Sequence, residues 1–162
     1  MDGIGYYNSP AGDLLITSLD DKITGVTFHE GERSEIRLTP QIEQCISQLD
    51  EYFYRGRKFF DVDIQLSGTA FQKKVWNELL SIPYGRTISY LELGIRVGDI
   101  NSVRAVGLAN GQNPVAIIVP CHRVIGKNGE LVGYRGGMDK KIWLLQHEGA
   151  FAEQLSLFSQ GT

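Results

Sequence analysis

The chain has 162 residues, 42% of them hydrophobic and 22% charged, with a formal net charge of -3. That is enough for one ordinary domain or two small ones around a packed core, and it excludes a disordered or fibrous chain. No apolar run is long enough to cross a bilayer, and the first thirty residues lack the basic start and continuous apolar stretch of a secretory signal.

Only two cysteines occur, Cys45 and Cys121, far apart in the chain. A structural disulfide or zinc site is therefore not expected, and a reducing, cytoplasmic location is. Charge is unevenly spread. Residues 1–66 carry 6 Lys+Arg against 12 Asp+Glu, and residues 67–148 carry 10 against 6. An acidic front and a basic back point to an anionic ligand for the back half.

In chain order, the front half (1–66) reads as a small sheet-plus-helix unit. Strands are expected at Ile4–Asn8, Asp13–Leu19 and Lys22–Phe28, separated by the turn sequences Ser9-Pro10-Ala11-Gly12 and Asp20-Asp21. An antiparallel meander follows from that spacing. Ile42, Cys45, Ile46, Leu49 and Phe53 recur at helical spacing behind a Thr39 cap and Pro40, and Gly56 ends the helix. Cys45 thus belongs to the buried stripe. Phe59–Ile64 is expected to add a strand.

Leu66–Thr69 reads as a linker into a back half (67–149). Thr69 caps a helix with Phe71, Val75, Trp76, Leu79 and Leu80 on one face, which stops near Ile82-Pro83-Tyr84-Gly85. Thr87 or Ser89 starts a second helix carrying Tyr90, Leu91, Leu93, Gly94, Ile95 and Val97. A turn at Gly98–Asn101 and a cap at Ser102 lead to a short third helix, Val103–Asn110. Two helices joined by a short Gly-containing turn suggest a helix-turn-helix. A strand-like apolar run, Asn113–Pro120, then delivers Cys121-His122-Arg123. Lys127–Glu130 is a turn, Gly133–Gly137 a glycine-rich loop, and Asp139–His147 a last helix. Residues 150–162 read as a tail in which Phe151, Leu155, Leu157 and Phe158 patch the surface.

A thiol, an imidazole and a guanidinium in a row at the end of a buried run suit a nucleophile in a positive field, since the thiolate is the attacking species. A lone cysteine would be read as core; the flanking residues shift that reading. The ordered set Val75-Trp76, Ile82-Pro83-Tyr84-Gly85, Ser89-Tyr90, Arg104-Ala105-Val106-Gly107, Ala109-Asn110, Asn113-Pro114, Pro120-Cys121-His122-Arg123-Val124, Gly133-Tyr134, Gly136-Gly137 and His147-Glu148-Gly149 resembles the bacterial-type methylated-DNA–protein-cysteine methyltransferases, the O6-alkylguanine-DNA alkyltransferases. The likeness is close over residues 69–149 and general over the front half.

The resemblance implies an α/β (α+β) chain. A ribonuclease H-like antiparallel sheet domain would pack on a mostly helical domain with the helix-turn-helix. It implies direct reversal of damage in double-stranded DNA, by a monomer working in the minor groove, associated with the nucleoid when bound, without metal, cofactor or membrane. Cys121 would accept the alkyl group irreversibly. His122, acting through water, would take the thiol proton, and Glu148 would orient the imidazole. Tyr90 would donate to the ring nitrogen N3 of the leaving guanine. Backbone groups of Val119, Cys121 and Arg135 would bind the base, Tyr134 would wall the pocket, and Asn113 would be a hinge. Arg104 would fill the stack left by the extruded nucleotide. Ala105, Gly107, Ala109 and Gly111 would let the backbone approach the groove, and Ser89, Arg96 and Arg123 would touch phosphates, although Arg123 could equally be an ion-pair partner. Arg135 stands where some relatives carry a small residue, which narrows or charges the pocket. Two rivals differ in their demands. A lesion sensor would keep its activity without Cys121, and a helix-turn-helix regulator would prefer a particular DNA sequence.

Overall fold

In the computed structural model, residues 2–98, 103–126, 129 and 133–150 are described. Two compact units divide the chain. One holds residues 1–69 with 114–118, the other residues 70–113 with 119–162.

The first unit is built on a three-stranded antiparallel sheet, β1 (Gly3–Ser9), β2 (Gly12–Leu19) and β3 (Lys22–Phe28), in that spatial order. Registers such as Tyr6↔Leu15 and Leu15↔Thr27 follow from two tight turns. At the first, Ser9 Oγ accepts from the N–H groups of Ala11 and Gly12, both at 3.1 Å. At the second, Asp20 and Asp21 both take positive φ (47° and 67°), the backbone that matches the twist of a two-residue hairpin. Alternation puts Leu14, Ile16, Ile23 and Val26 in the core.

Helix α1 (Pro40–Tyr54) covers this sheet. Its Thr39 cap accepts from the Ile42 N–H, and Ile42, Cys45, Leu49, Tyr52 and Phe53 form its buried stripe. Each such side chain contributes about 1.5–3 kcal/mol by leaving water. Gly5 has to be a glycine, since a Cβ there would stand 2.5 Å from Ile42 Cγ2.

Two expected strands are not strands. In 59–64 only Ile64 makes a bridge, parallel to Ile23, with the Asp63 carbonyl accepting from Ile23 N–H at 2.8 Å. The Asp61 N–H is taken instead by Gln48 Oε1 at 3.0 Å. In the apolar run 113–120, Val115 makes one bridge with Val26. The chain then turns back on itself. Ile118 N–H donates to the Ala116 carbonyl at 2.8 Å around Ile117, whose φ is +71°. That is the rarer, positive-φ γ-turn, strained for a β-branched residue. Pro114 and Pro120 supply no N–H for a ladder.

The second unit is helical. Helices α2 (Ala70–Leu79), α3 (Tyr90–Val97) and α4 (Val103–Gly111) pack on one another, and the Trp76 indole donates to the Ala109 carbonyl at 2.8 Å. Val75, Trp76 and Leu79 face inward, but Leu80, Leu91 and Ile95 do not and are exposed. An inward face of Leu93, Gly94 and Val97 leaves Leu91 and Ile95 on the far side of α3. The expected turn through 99–101, the Ser102 cap, most of the turn at 127–130 and the tail beyond Ala150 lie outside the described residues. A pairing absent from the sequence reading is parallel. β4 (Ile88–Ser89) runs beside β5 (Val124–Ile125), immediately after a 3-10 turn at Cys121–Arg123. Helix α5 (Met138–His147) closes the unit. Among the described residues, no helix is long and apolar enough to cross a membrane.

Candidate active site

Pro120 (φ -84°, ψ 64°) forces a second γ-turn, of the common hand, in which Cys121 N–H donates to the Val119 carbonyl at 2.8 Å. The 3-10 turn that follows places Cys121, His122 and Arg123 in the interior, each no more than 6% exposed.

His122 and Arg123 converge on one carboxylate. Glu148, at the C-terminal cap of α5, accepts from His122 Nε2 at 2.8 Å and from Arg123 Nε at 2.8 Å, with Arg123 Nη2 at 3.0 Å. Arg123 Nη1 donates to the Ile82 carbonyl at 2.7 Å. Burial by itself would raise the Glu148 carboxyl, but the charges and hydrogen bonds of its two partners hold it well below the usual carboxylate range. Burial drives His122 below its ordinary value, with Glu148 offsetting part of that. The resting pair is therefore a neutral imidazole beside an ionised carboxylate whose charge Arg123 balances. In that state Nε2 carries the hydrogen, given to Glu148, and Nδ1 is the base. His122 Nδ1 is buried without a hydrogen-bond partner among the described residues.

Burial pushes the Cys121 thiol up, against the Asn113 side chain, the Lys141 charge and the residue's own backbone, all of which favour ionisation. The resting sulfur is thus a thiol, because desolvation outweighs the positive field. A base has to act at the moment of attack.

Lys141 was missed in the sequence. Its ammonium is fully buried and donates to the Val124 carbonyl at 2.7 Å, with Gly133 O and Tyr90 Oη each at 3.5 Å. Burial lowers its amine to about 8, and Cys121 pulls it back upward. The signal was present, because Lys141 shares a helical stripe with Leu144 and Leu145, where an apolar residue belongs.

Tyr90, the first residue of α3, lies with its ring 5.7 Å from Lys141 Nζ. Burial raises its phenol to about 12, Cys121 adds to this, and the Asn110 side chain opposes it through a hydrogen bond. Asn113 Nδ2 donates to the Val119 carbonyl at 2.7 Å. Tyr134 is half-buried, and burial first, then Cys121 and Glu148, raise its hydroxyl well above the ordinary value. Arg135 is exposed.

Several expected roles meet different geometry. Arg123 does not present its guanidinium to solvent; it is consumed by Glu148 and Ile82, the ion-pair alternative. Ala109 is 2% exposed and faces the helix core, where the expected close approach to a groove does not arise. The Val119 carbonyl already accepts from Cys121 N–H and Asn113 Nδ2, and the Cys121 carbonyl from Val124 N–H and Asn110 Nδ2. Both lone pairs of each are engaged, so a base would have to share them. Ser89 Oγ caps α3, accepting from Glu92 N–H at 3.0 Å, and Arg96 pairs with Glu92 at 3.2 Å. Arg104 and Ala105 lie on the outer face of α4 with Leu108, and Gln112 is exposed just past its end; the sequence reading passed over the last two. Gly107 sits over the Tyr90 ring, 3.6 Å from an added Cβ to Cδ1, and Gly111 opens onto empty space.

Known proteins resemble this chain over most of its length. Residues 4–66 match the model described as "6-O-methylguanine DNA methyltransferase, ribonuclease-like domain", and residues 70–150 the corresponding "DNA binding domain". Methylated-DNA–protein-cysteine methyltransferases from Mycobacterium bovis and Methanosarcina acetivorans are 45% and 43% identical. The first match covers 93% of this chain and 95% of the relative, the second 89% and 96%. A crystal structure of the Mycobacterium tuberculosis O6-methylguanine methyltransferase superposes with a TM-score of 0.82 at 42% identity, covering 93% of this chain and 94% of that one. The Mycobacterium tuberculosis protein in complex with DNA superposes at 0.81 and 44% identity, covering 90% and 91%.

Proposed function

The chain belongs to the 6-O-methylguanine DNA methyltransferase family, and on that premise we propose that it repairs double-stranded DNA by moving the alkyl group of O6-alkylguanine onto Cys121, once per molecule. The observation that carries this reading is the buried His122–Glu148 pair, with Nδ1 of the imidazole unengaged one residue from the sulfur.

The steps balance as follows. The duplex yields the damaged nucleotide, at a cost of a few kcal/mol, and Arg104 on the outer face of α4 fills the gap. His122 Nδ1, through a water, takes the thiol proton, and Glu148 and Arg123 stabilise the resulting imidazolium and its counter-charge. The Cys121 sulfur attacks the alkyl carbon. The new S–C bond forms as the C–O6 bond breaks, and the electron pair of that bond stays with the base. Tyr90, neutral at physiological pH because its phenol sits at about 12, gives its proton to N3 of the departing guanine. The proton held on His122 then restores Tyr90 by way of solvent. Lys141 supplies the fixed positive charge that favours both the thiolate and the departing anion. The product thioether has no leaving group to regenerate the thiol, hence one turnover. Alkylated DNA read mainly through phosphate and stacking contacts suits lesions in any sequence. The minor groove as the docking face, monomeric action, a cytoplasmic site of work, the hinge role of Asn113 and the lining roles of Val119, Tyr134 and Arg135 belong to the same proposal.

Incubation with a duplex bearing O6-methylguanine is expected to add one methyl mass to the peptide containing Cys121, and none to Cys121→Ser. An unmodified peptide beside DNA that is still methylated would end the reading.

A further inference from the structure

Helix α5 is brought to a definite stop. Gly149, just past its end, takes a φ of +71°. Its N–H donates to the Gln146 carbonyl at 3.0 Å, and Ala150 N–H donates to the Leu145 carbonyl at 3.1 Å, the two bonds of a Schellman motif. Ala150 then packs against Ile125 and Leu145, and the DNA-binding-domain match ends at the same residue. The twelve residues that follow, 151–162, read Phe-Ala-Glu-Gln-Leu-Ser-Leu-Phe-Ser-Gln-Gly-Thr. Phe151, Leu155, Leu157 and Phe158 are large and apolar, and Glu153 carries the one charge. A solvated stretch has the opposite balance. Three of the four apolar residues stand in one block, Gln154-Leu155-Ser156-Leu157-Phe158. So short a block gains free energy chiefly against a preformed cleft, where leucine and phenylalanine fill pockets and a glutamine amide pairs with main-chain groups.

The charge of the chain indicates the kind of partner. Net charge is -3, and the basic excess is confined to residues 67–148, with 10 Lys+Arg against 6 Asp+Glu. Phosphate attraction, the sequence-independent part of DNA binding, is therefore weak. A repair protein has to find one altered base among a vast surplus of intact ones. Docking on a protein that already surrounds the duplex replaces the missing attraction by effective concentration, on the order of mM for a short tether. We propose that Gln154–Phe158 is a docking peptide that attaches this chain to a protein ring encircling duplex DNA. Leu155, Leu157 and Phe158 enter an apolar cleft on the ring, and the Gln154 amide sets their register. The choice of partner rests on the repair function proposed above; the peptide itself does not. A patch on the chain's own surface, expected of these residues from the sequence, is the competing outcome.

The probe is a bacterial DNA sliding clamp, a ring of this kind, titrated with the full chain by isothermal calorimetry in the absence of DNA. The parent is expected to bind with a Kd on the order of µM. Leu157→Ala combined with Phe158→Ala should weaken this by ~10-fold or more. Glu153→Ala, outside the block, should stay within about 2-fold of the parent. The double variant lies beyond the matched domains, so its Tm should remain within about 1 °C and its transfer from a short naked duplex should equal the parent's. On nicked circular DNA bearing one O6-methylguanine and a loaded clamp, the parent should act ~10-fold faster than the double variant. No clamp binding by the parent, or binding that the double variant retains, overturns the proposal. A parent that ignores the clamp while the double variant melts several degrees lower would assign these side chains to the chain's own surface instead. Clamp binding without transfer on any duplex would defeat the proposed function and leave the docking peptide standing.

Discussion

Lys141→Met is expected to make the protein more stable and less active at once. The ammonium is fully buried and its amine lies at about 8 instead of 10.5. At about 1.36 kcal/mol per pH unit, holding the charged form inside costs about 3 kcal/mol at neutral pH. Methionine has a similar length and no charge. It deprives the Val124 carbonyl of the donor now at 2.7 Å, which costs about 1 kcal/mol. The net gain is about 2 kcal/mol, or a Tm higher by ~4–8 °C for a chain of this size. The pH dependence has a definite sign. A lysine with a folded pKa below its unfolded one destabilises fully below about 8, and that penalty is relieved as pH rises toward the unfolded value. The gap between variant and parent should therefore close over that window. In the same variant the Cys121 thiol loses the cation that favours its ionisation, so transfer should slow by ~10-fold or more. Thermal melts at pH 7 and pH 10, with single-turnover assays, decide it. A variant that melts lower at pH 7 and transfers at the parental rate would refute the reasoning.

Glu148→Gln leaves the Arg123 guanidinium buried without its counter-charge, and urea unfolding should show a loss of about 3–5 kcal/mol. The carboxyl is held low in the folded state, so the stability it supplies is complete above its unfolded value near 4.5 and is lost as pH falls below that. The variant should lack this acid-dependent loss. Arg104→Ala, at an exposed position, should leave Tm within about 1 °C and slow transfer from duplex more than from single-stranded DNA. Gly5→Ala drives a methyl against Ile42 Cγ2, 2.5 Å away, and should cost about 1–3 kcal/mol in a denaturant titration.

The parts legible in the sequence were those set by local chemistry. The hairpin at Asp20-Asp21, the Thr39-Pro40 helix start and the apolar stripe of α1 needed only neighbours in the chain. The Pro120–Val124 string marked the site because a thiol, an imidazole and a guanidinium rarely stand together. What failed was whatever the rest of the fold decides. Residues 113–120 have the composition of a strand, yet two prolines and the γ-turn at Ile117 deny them a ladder. For Arg123 the sequence left a phosphate contact and an ion pair equally open, and Glu148, twenty-five residues away, with the Ile82 carbonyl decides for the buried pair. Lys141 and Asn110 were overlooked for a related reason. A polar residue on an apolar stripe looks like imperfect amphipathicity until its partners are in view. Leu91 and Ile95 err the other way, apolar residues that the narrow inner face of α3 leaves outside.

The two-residue parallel pairing of Ile88-Ser89 with Val124-Ile125 also bears on how such a chain can diverge. Tyr90 follows one partner directly, and Cys121 precedes the other by three residues. Main-chain bonds thus meter the spacing of phenol and sulfur, whatever side chains surround them. One residue inserted or deleted in 88–90 or 121–125 would shift one group against the other by about 3.3 Å, roughly a full bonding distance. Indels are not tolerable around this yoke, whereas at an exposed bend such as the one at Gly31 even an added Cβ meets nothing within 4 Å.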